Sequence, residues 1–175
     1  MQSDKSEYHS LVFGVLGDPQ GKARPRFARR GDFVSTYTPS ATQKYEELIR
    51  YCAQKVRQKN GINKPISADI SLGIRAYFKI PKTYSKKRKE RCLNGEERPS
   101  KKPDSDNIAK IVLDGLNPKM KVDHVQHKAI CVHEGLYRDD KQVVSLKVEK
   151  YYSERPRVEI TAKWQSKSKG KEKET

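Results

Sequence analysis

Two short acidic segments carry the residues whose types and spacing could perform chemistry. Asp104 and Asp106 lie two residues apart, and Asp139 and Asp140 are adjacent. Two carboxylates two residues apart can reach one divalent cation, and such hard oxygen ligands suit Mg²⁺ or Mn²⁺. A cation held in this way can bind a substrate phosphate and activate a water molecule. The acidic residues therefore indicate metal-assisted hydrolysis as one interpretation.

The same residues also have an interpretation without chemistry. Asp104 or Asp106 could cap the helix that Pro103 precedes. Asp106, Lys110 and Asp114 follow one another at four-residue spacing, as surface ion pairs on a helix would. Clustered acids are nevertheless conspicuous in a chain of net charge +16. A protein that only holds DNA would gain nothing from carboxylates beside the DNA phosphates. If a metal ion is bound, however, it could bridge the carboxylates and the phosphates.

Charge and composition limit the class of protein. A chain of 175 residues fits one domain, and a net charge of +16 favours a polyanionic partner, most commonly nucleic acid. The sequence has no apolar run long enough to cross a bilayer, and its first ten residues lack the apolar core of a signal peptide. Three widely spaced cysteines do not form a disulfide framework, so we expect a cytoplasmic protein.

Four strands are predicted from alternation. Every even-numbered residue from Ile66 to Ile80 is apolar, and the residues between are mostly polar, so this segment predicts a long strand with one buried face. Shorter alternations predict strands over 11–16, 144–148 and 158–164. The turn residues at 153–156 between the last two suggest an antiparallel hairpin.

Helical spacing of apolar residues predicts a helix over 40–59 and another that starts near Asp104 or Asp106, and a short basic helix fits 83–93. The expected fold is α+β, with a mixed four-stranded sheet and two long helices packed on one face. Residues 11–164 are predicted to form one domain. We expect the segments 1–10 and 165–175 to be disordered, since they offer little apolar surface to bury.

An ordered set of motifs resembles a known family. The segments are Lys102-Pro103-Asp104-Ser105-Asp106-Asn107-Ile108-Ala109-Lys110, then Asp114-Gly115-Leu116, then Asp139-Asp140-Lys141-Gln142-Val143. In this order they resemble the RusA-type Holliday junction resolvases, which are crossover junction endodeoxyribonucleases. Further segments resemble the phage and prophage branch of that family, namely Arg24-Pro25-Arg26, Tyr37-Thr38-Pro39 and Ile80-Pro81-Lys82. The resemblance spans roughly residues 11–164.

The resemblance implies a RusA-like α+β homodimer that cuts four-way DNA junctions with Mg²⁺, or with Mn²⁺ as a substitute, in DNA recombination and repair. Asp104, Asp106 and Asp140 match the metal ligands of the family, and Lys110 matches a catalytic lysine. The family pattern has acidic residues at two further positions, whose roles are less defined; they correspond to Asp114 and Asp139. The implied setting is the cytoplasm of a bacterial or phage-infected cell.

Two basic regions are expected to hold backbone phosphates without reading sequence. The first contains Lys22, Arg24 and Arg26, and the second is the run 82–91, with Lys86, Lys87 and Arg88 at its centre. The competing interpretation of these residues is plain solvated charge.

The segment 117–137 is longer than in the shortest family members and contains His124, His127, Cys131 and His133. These residues could bind structural zinc, although the segment also fits a polar hairpin. Two alternative functions therefore stay open: a non-enzymatic DNA-binding protein, and a zinc-binding adaptor built on this segment.

Overall fold

A four-stranded sheet forms the centre of the molecule in the computed structural model, which describes residues 7–166. The elements follow one another as β1 (Glu7–Leu16), β2 (Arg26–Arg30), β3 (Phe33–Tyr37), α1 (Ser40–Lys59), β4 (Ile70–Lys79), α2 (Lys86–Leu93), α3 (Ser105–Leu116), β5 (Lys119–Asp123), β6 (Lys128–His133), β7 (Val143–Ser153) and β8 (Arg157–Ser166). The order in the central sheet is β1-β8-β4-β7. β8 runs antiparallel to β1 and β4, whereas β4 and β7 are parallel, which confirms the predicted mixed sheet.

The alternation predicted for the long strand is confirmed in β4. Its core-facing residues are buried and Ser71, Arg75 and Lys79 on the other face are exposed. The strand begins at Ile70 instead of Ile66, which forms an isolated bridge with Tyr137. The buried face of the sheet joins the helices in one hydrophobic core.

Helices cover one face of the sheet. α1 and α3 pack against each other, and Ile49 and Ala53 of the first and Ile108 and Val112 of the second belong to the hydrophobic core. The shorter α2 adds Cys92 to the same core. The helical face therefore holds two main helices, of 20 and 12 residues, and a third of eight residues. Within residues 7–166, no helix combines the length and the apolar character needed to cross a membrane.

The predicted hairpin between the last two strands is wrong. β4 lies between β7 and β8, so the segment 154–156 crosses the end of β4 instead of making a tight turn. Both edges of β4 are hydrogen-bonded, which satisfies the backbone groups of the strand that carries more buried residues than any other strand of the sheet. Alternation in sequence identifies the buried face of a strand but not its neighbours.

Two smaller hairpins lie outside the central sheet. The predicted hairpin in the segment 117–137 is present as β5 and β6, whereas the hairpin of β2 and β3 was not predicted. β1 begins at Glu7, so residues 7–10, which were expected to be disordered, belong to a strand, as do Gln165 and Ser166. The predicted disorder of 1–6 and 167–175 falls outside the described residues.

Candidate active site

The N-terminus of α3 positions two of the predicted metal ligands. Asp104 occupies the N-cap position with extended backbone, but its side chain accepts no capping hydrogen bond. Asp106 lies in the first turn, where the helix dipole favours negative charge. The carboxylate of Asp106 lies 3.4 Å from the ammonium of Lys110, and both side chains are exposed. Helix capping therefore does not account for the Asp104 carboxylate.

Asp104 lines an open cleft of about 610 Å³ in which it is surrounded by basic side chains. The other lining residues are Gly21, Lys22, Arg24, Lys102, Pro103 and Asn107. The segment after β1 is held against α3 because the backbone N–H of Lys22 donates to the carbonyl of Asn107 at 2.9 Å. The cleft thus places one carboxylate among three cationic side chains. Such an arrangement suits a bound phosphate if a metal ion lies between the phosphate and the carboxylate.

Glycine at position 21 is required by the close approach of this segment to α3. A Cβ atom on Gly21 would lie 2.7 Å from the Cβ of Pro103 and 3.0 Å from the Cβ of Asn107. Both contacts are with atoms next to the backbone, which cannot swing away as the end of a flexible side chain can. The shape of the cleft therefore depends on the absence of a side chain here.

Lys22, predicted to contact DNA, lies within an ion-pair cluster of the protein. Its Nζ is 2.5 Å from Oε1 of Glu46 and 2.7 Å from Oδ2 of Asp114. Burial acts to lower the pKa of Lys22, but the hydrogen bonds with Asp114 and Glu46 outweigh it, and the pKa is raised. Asp114 therefore contacts Lys22, and the described structure places no ion pair between Asp114 and Lys110, four residues away.

The Asp139-Asp140 pair lies at a 3₁₀ helix over Asp140–Gln142 that leads into β7. Asp139 caps this helix: its Oδ1 accepts the backbone N–H of Lys141 at 2.9 Å, and this hydrogen bond lowers the pKa of Asp139. Gln142 accepts the N–H groups of Arg138 and Asp139 and donates to the carbonyls of two residues before β4, Ile66 and Ala68. Asp139 and Gln142 therefore fix the geometry of this segment.

Asp140 lies away from the other two predicted ligands. Its Oδ2 is 3.3 Å from Nδ2 of Asn117, the C-cap residue of α3, whereas Asp104 is the N-cap residue. At a rise of 1.5 Å per residue, the two ends of the helix are about 20 Å apart. Across residues 7–166, no three His, Cys, Asp or Glu side chains converge as ligands for one metal ion.

The pair Asp104 and Asp106 fits Mg²⁺ without Asp140. This cation is commonly held by one or two carboxylates together with water and substrate phosphate, and it does not need a complete protein cage. The unused Asp104 carboxylate and the adjacent basic cleft match that mode of binding. The single chain therefore has two of the three predicted ligands at the start of α3, and the third near its other end.

The second predicted DNA-binding region is the first part of α2, which Ser85 caps through the N–H of Arg88. Lys86 and Lys87 are exposed. Arg88 instead forms a two-pronged ion pair with Glu97, at 3.0 Å from Nε and 2.7 Å from Nη2, and this hydrogen bonding lowers the pKa of Glu97. The two lysines are therefore free to meet solvent or phosphate, whereas the side chain of Arg88 also has a structural contact.

The histidine-rich segment does not form a metal cluster in the described residues 7–166. His124 and His127 lie in the turn between β5 and β6, while Cys131 and His133 lie along β6. The hairpin interpretation of this segment is confirmed, and the structure gives the zinc-binding alternative no support.

Sequence reasoning missed Arg50, which organises the C-terminal end of α3. This buried side chain donates to the carbonyls of Asn117, at 2.8 Å, and Asp114, at 3.0 Å. It thereby satisfies carbonyl groups that a helix end leaves unpaired and holds the residue that contacts Asp140. Arg50, Ala53 and Arg57 share one buried side of α1, so a charged residue at helical spacing within the apolar stripe was the available signal.

Comparison with known proteins defines the class to which this fold and cleft belong. The family model described as Endodeoxyribonuclease RusA matches residues 17–130 and 126–163. A similar curated protein is the uncharacterized protein YqaN of Bacillus subtilis (strain 168), which is 37% identical over 152 residues, covering 86% of this chain and 93% of YqaN. The chain belongs to the RusA endodeoxyribonuclease family, as its ordered acidic motifs predicted. DNA is therefore the substrate of its class.

Proposed function

We propose that this protein is a metal-dependent endonuclease that resolves four-way DNA junctions by paired phosphodiester hydrolysis. The observation that carries the proposal is the Asp104 carboxylate, which accepts no capping hydrogen bond although Asp104 is the N-cap residue of α3, and which lines a basic cleft. Membership of the RusA family adds the substrate class and its expected role in DNA recombination and repair. We place the activity in the cytoplasm of a bacterial or phage-infected cell, where such DNA is found.

The proposed cofactor is Mg²⁺, with Mn²⁺ as a possible substitute, held by Asp104 and Asp106. When bound, the cation polarises the phosphate and makes a bound water more acidic. Lys110 lies one helical turn after Asp106 and 3.4 Å from its carboxylate. From there its ammonium orients the ligand and stabilises the negative charge that develops on the phosphate.

Basic residues around the cleft are proposed to hold the DNA backbone. Arg24 and Lys102 line the cleft directly, and Arg26 is exposed at the start of β2. Lys86 and Lys87 offer a second contact region on α2. Because these contacts are with phosphates, they provide affinity and orientation but no sequence preference.

A homodimer is proposed for two reasons. A junction requires two symmetric cuts, and a two-fold axis supplies two equal sites. In addition, about 20 Å of helix separates Asp104 from the end of α3 where Asp140 lies. We propose that Asp140 of the partner subunit completes each metal site, so that activity depends on association.

A labelled four-way junction and a linear duplex of the same sequence, each with and without Mg²⁺, test the function. We expect symmetric cuts in the junction when Mg²⁺ is present, and no cuts without it. Asp106→Asn should abolish cleavage while junction affinity is kept or improved, since a negative charge near phosphates is removed.

Asp123→Asn is the matched control. Asp123 accepts the N–H of Val125 in the turn between β5 and β6. Asparagine can also accept this hydrogen bond, so we expect cleavage at the wild-type rate. If the wild-type protein binds the junction but cuts no DNA with either Mg²⁺ or Mn²⁺, the proposed function is refuted. The non-enzymatic alternative, a protein that only binds DNA, would then hold.

A further inference from the structure

The hairpin of β2 and β3 exposes aromatic rings that no other element within residues 7–166 covers. Its strands pair with each other, and in the described structure neither joins the central sheet. Phe33 is 82% exposed and Phe27 is 74% exposed, and Val34 and Tyr37 are exposed as well. Rings of this size are normally buried or bound to a partner. The hairpin is therefore a candidate interaction surface.

The charge of the hairpin selects the kind of partner. Arg24, Arg26 and Arg29 lie in or immediately before β2, and the acidic residue of the hairpin is Asp32 in the turn. Exposed arginines next to exposed aromatic rings are complementary to nucleic acid, whose phosphates pair with guanidinium groups and whose bases stack on rings. A protein partner that matched this surface would have to be both acidic and apolar, whereas DNA offers both features and is the substrate of the family.

The hairpin begins at the candidate active site. Gly21, Lys22 and Arg24 line the cleft that contains Asp104, and the N–H of Lys22 anchors this segment to α3. β2 then runs for five residues before the turn, which corresponds to about 14 Å of extended chain. Phe33 follows the turn directly, so its ring lies at the end of the hairpin opposite the anchored segment.

We infer that this hairpin is a wedge that enters the branch point of the DNA, where the ring of Phe33 stacks on a base that has lost its neighbour. This inference rests on the proposed function, because it names the feature that lets the same site recognise a branch. A ring without donors or acceptors cannot hydrogen-bond to base edges in a groove. It can replace a stacking partner, and a branch point exposes base faces without the cost of opening a duplex.

The test compares junction and duplex binding of Phe33→Ala, Phe33→Trp and the control Tyr8→Ala. Tyr8 has a ring of similar exposure, 81%, but it lies on β1, outside the hairpin. All binding is measured without divalent metal, on a four-way junction that carries 2-aminopurine beside the branch point. Circular dichroism spectra and melting curves establish that each variant is folded.

Wild-type protein should change the 2-aminopurine fluorescence when it binds, and Phe33→Ala should lose that change. Junction affinity of Phe33→Ala should fall between about five-fold and about one hundred-fold, the usual range for loss of one base–aromatic stack, while duplex affinity stays within about two-fold. Phe33→Trp should restore both signals, and Tyr8→Ala should match wild type.

An unchanged fluorescence response and junction affinity in Phe33→Ala would overturn the wedge, even if the wild-type protein cuts junctions. An equal loss of duplex and junction affinity would also overturn it, because the hairpin would then be a general DNA contact. Failure of the wild-type protein to cut any DNA with Mg²⁺ overturns the proposed nuclease instead. The metal-free fluorescence comparison remains interpretable in that case, so the two failures are distinguishable.

Discussion

The four acidic residues of the two motifs have different local contacts. Asp139 accepts a backbone N–H and is part of the 3₁₀ helix cap, whereas Asp140 contacts the side chain of Asn117. Asp104 has no capping bond, and Asp106 pairs with Lys110. At the residue scale, local contacts therefore distinguish Asp139, which caps a helix, from Asp104, Asp106 and Asp140, which could bind a cation.

This difference predicts opposite results for two neighbouring substitutions. Asp140→Asn should reduce junction cleavage by more than about 100-fold, since a proposed metal ligand loses its charge. Asp139→Asn should leave cleavage within about three-fold, because asparagine caps helices nearly as well as aspartate. Initial rates at saturating Mg²⁺, with circular dichroism as the check on folding, decide between them. A severe defect in Asp139→Asn with normal activity in Asp140→Asn would reverse the assignment.

At the scale of elements, the segment after β1 connects the sheet to the candidate active site through one glycine. Gly21→Ala should destabilise the protein by about 1–3 kcal/mol, because the added methyl group meets Pro103 and Asn107 at sub-contact distance. Cleavage should fall with it, since the cleft must open to admit the methyl group. Urea denaturation and junction cleavage are the two measurements.

Gly14→Ala is the matched control for this substitution. Its Cβ would meet the carbonyl of Val158 at 3.9 Å, an ordinary contact, so we expect a change within about 0.5 kcal/mol. Equal stability of the two variants would mean that the close approach at Gly21 relaxes without cost.

Local periodicity predicted the elements well, and pairing between distant elements less well. The bounds of α1 and the buried face of β4 follow from spacing within each segment. The insertion of β4 between β7 and β8 does not, because alternation is the same whichever strand lies alongside. The β2–β3 hairpin was not predicted because its aromatic rings face solvent. Its strands have no buried face, so their sequence does not alternate between apolar and polar residues.

The candidate site was predictable only where its residues are close together in the sequence. Asp104 and Asp106 are close in sequence, so a helix start was enough to place them together. The relation of Asp140 to this pair depends on tertiary packing, and its grouping with them came from the family resemblance alone. Arg50 was missed because it acts through backbone carbonyls 64 and 67 residues away, which no local pattern identifies.

At the scale of the whole molecule, the separation of the carboxylates makes the proposed homodimer testable by mixing two inactive variants. If each site takes Asp106 from one subunit and Asp140 from the other, an Asp106→Asn/Asp140→Asn heterodimer has one site with both defects and one intact site. Mixing should therefore restore nicking of one junction strand. Random association at equal mixing makes about half of the dimers heterodimers, so about a quarter of all sites should be intact.

Each variant mixed with itself is the control and should stay inactive. If every site is instead built within one chain, each site in the heterodimer carries one defect, and the mixture should cut no DNA. Sedimentation at micromolar concentration shows in the same samples whether the subunits associate, so a stable active monomer would refute the dimer.

The position of β8 in the sheet has a consequence for biosynthesis. This last strand pairs with β1 on one side and with β4 on the other, so the N-terminal strand has no partner in the central sheet until residues 157–166 have been made. Contacts of such sequence separation form slowly and late. A nascent or truncated chain that stops before β8 therefore leaves β1 without a sheet partner and lacks three core residues, Val158, Ile160 and Ala162.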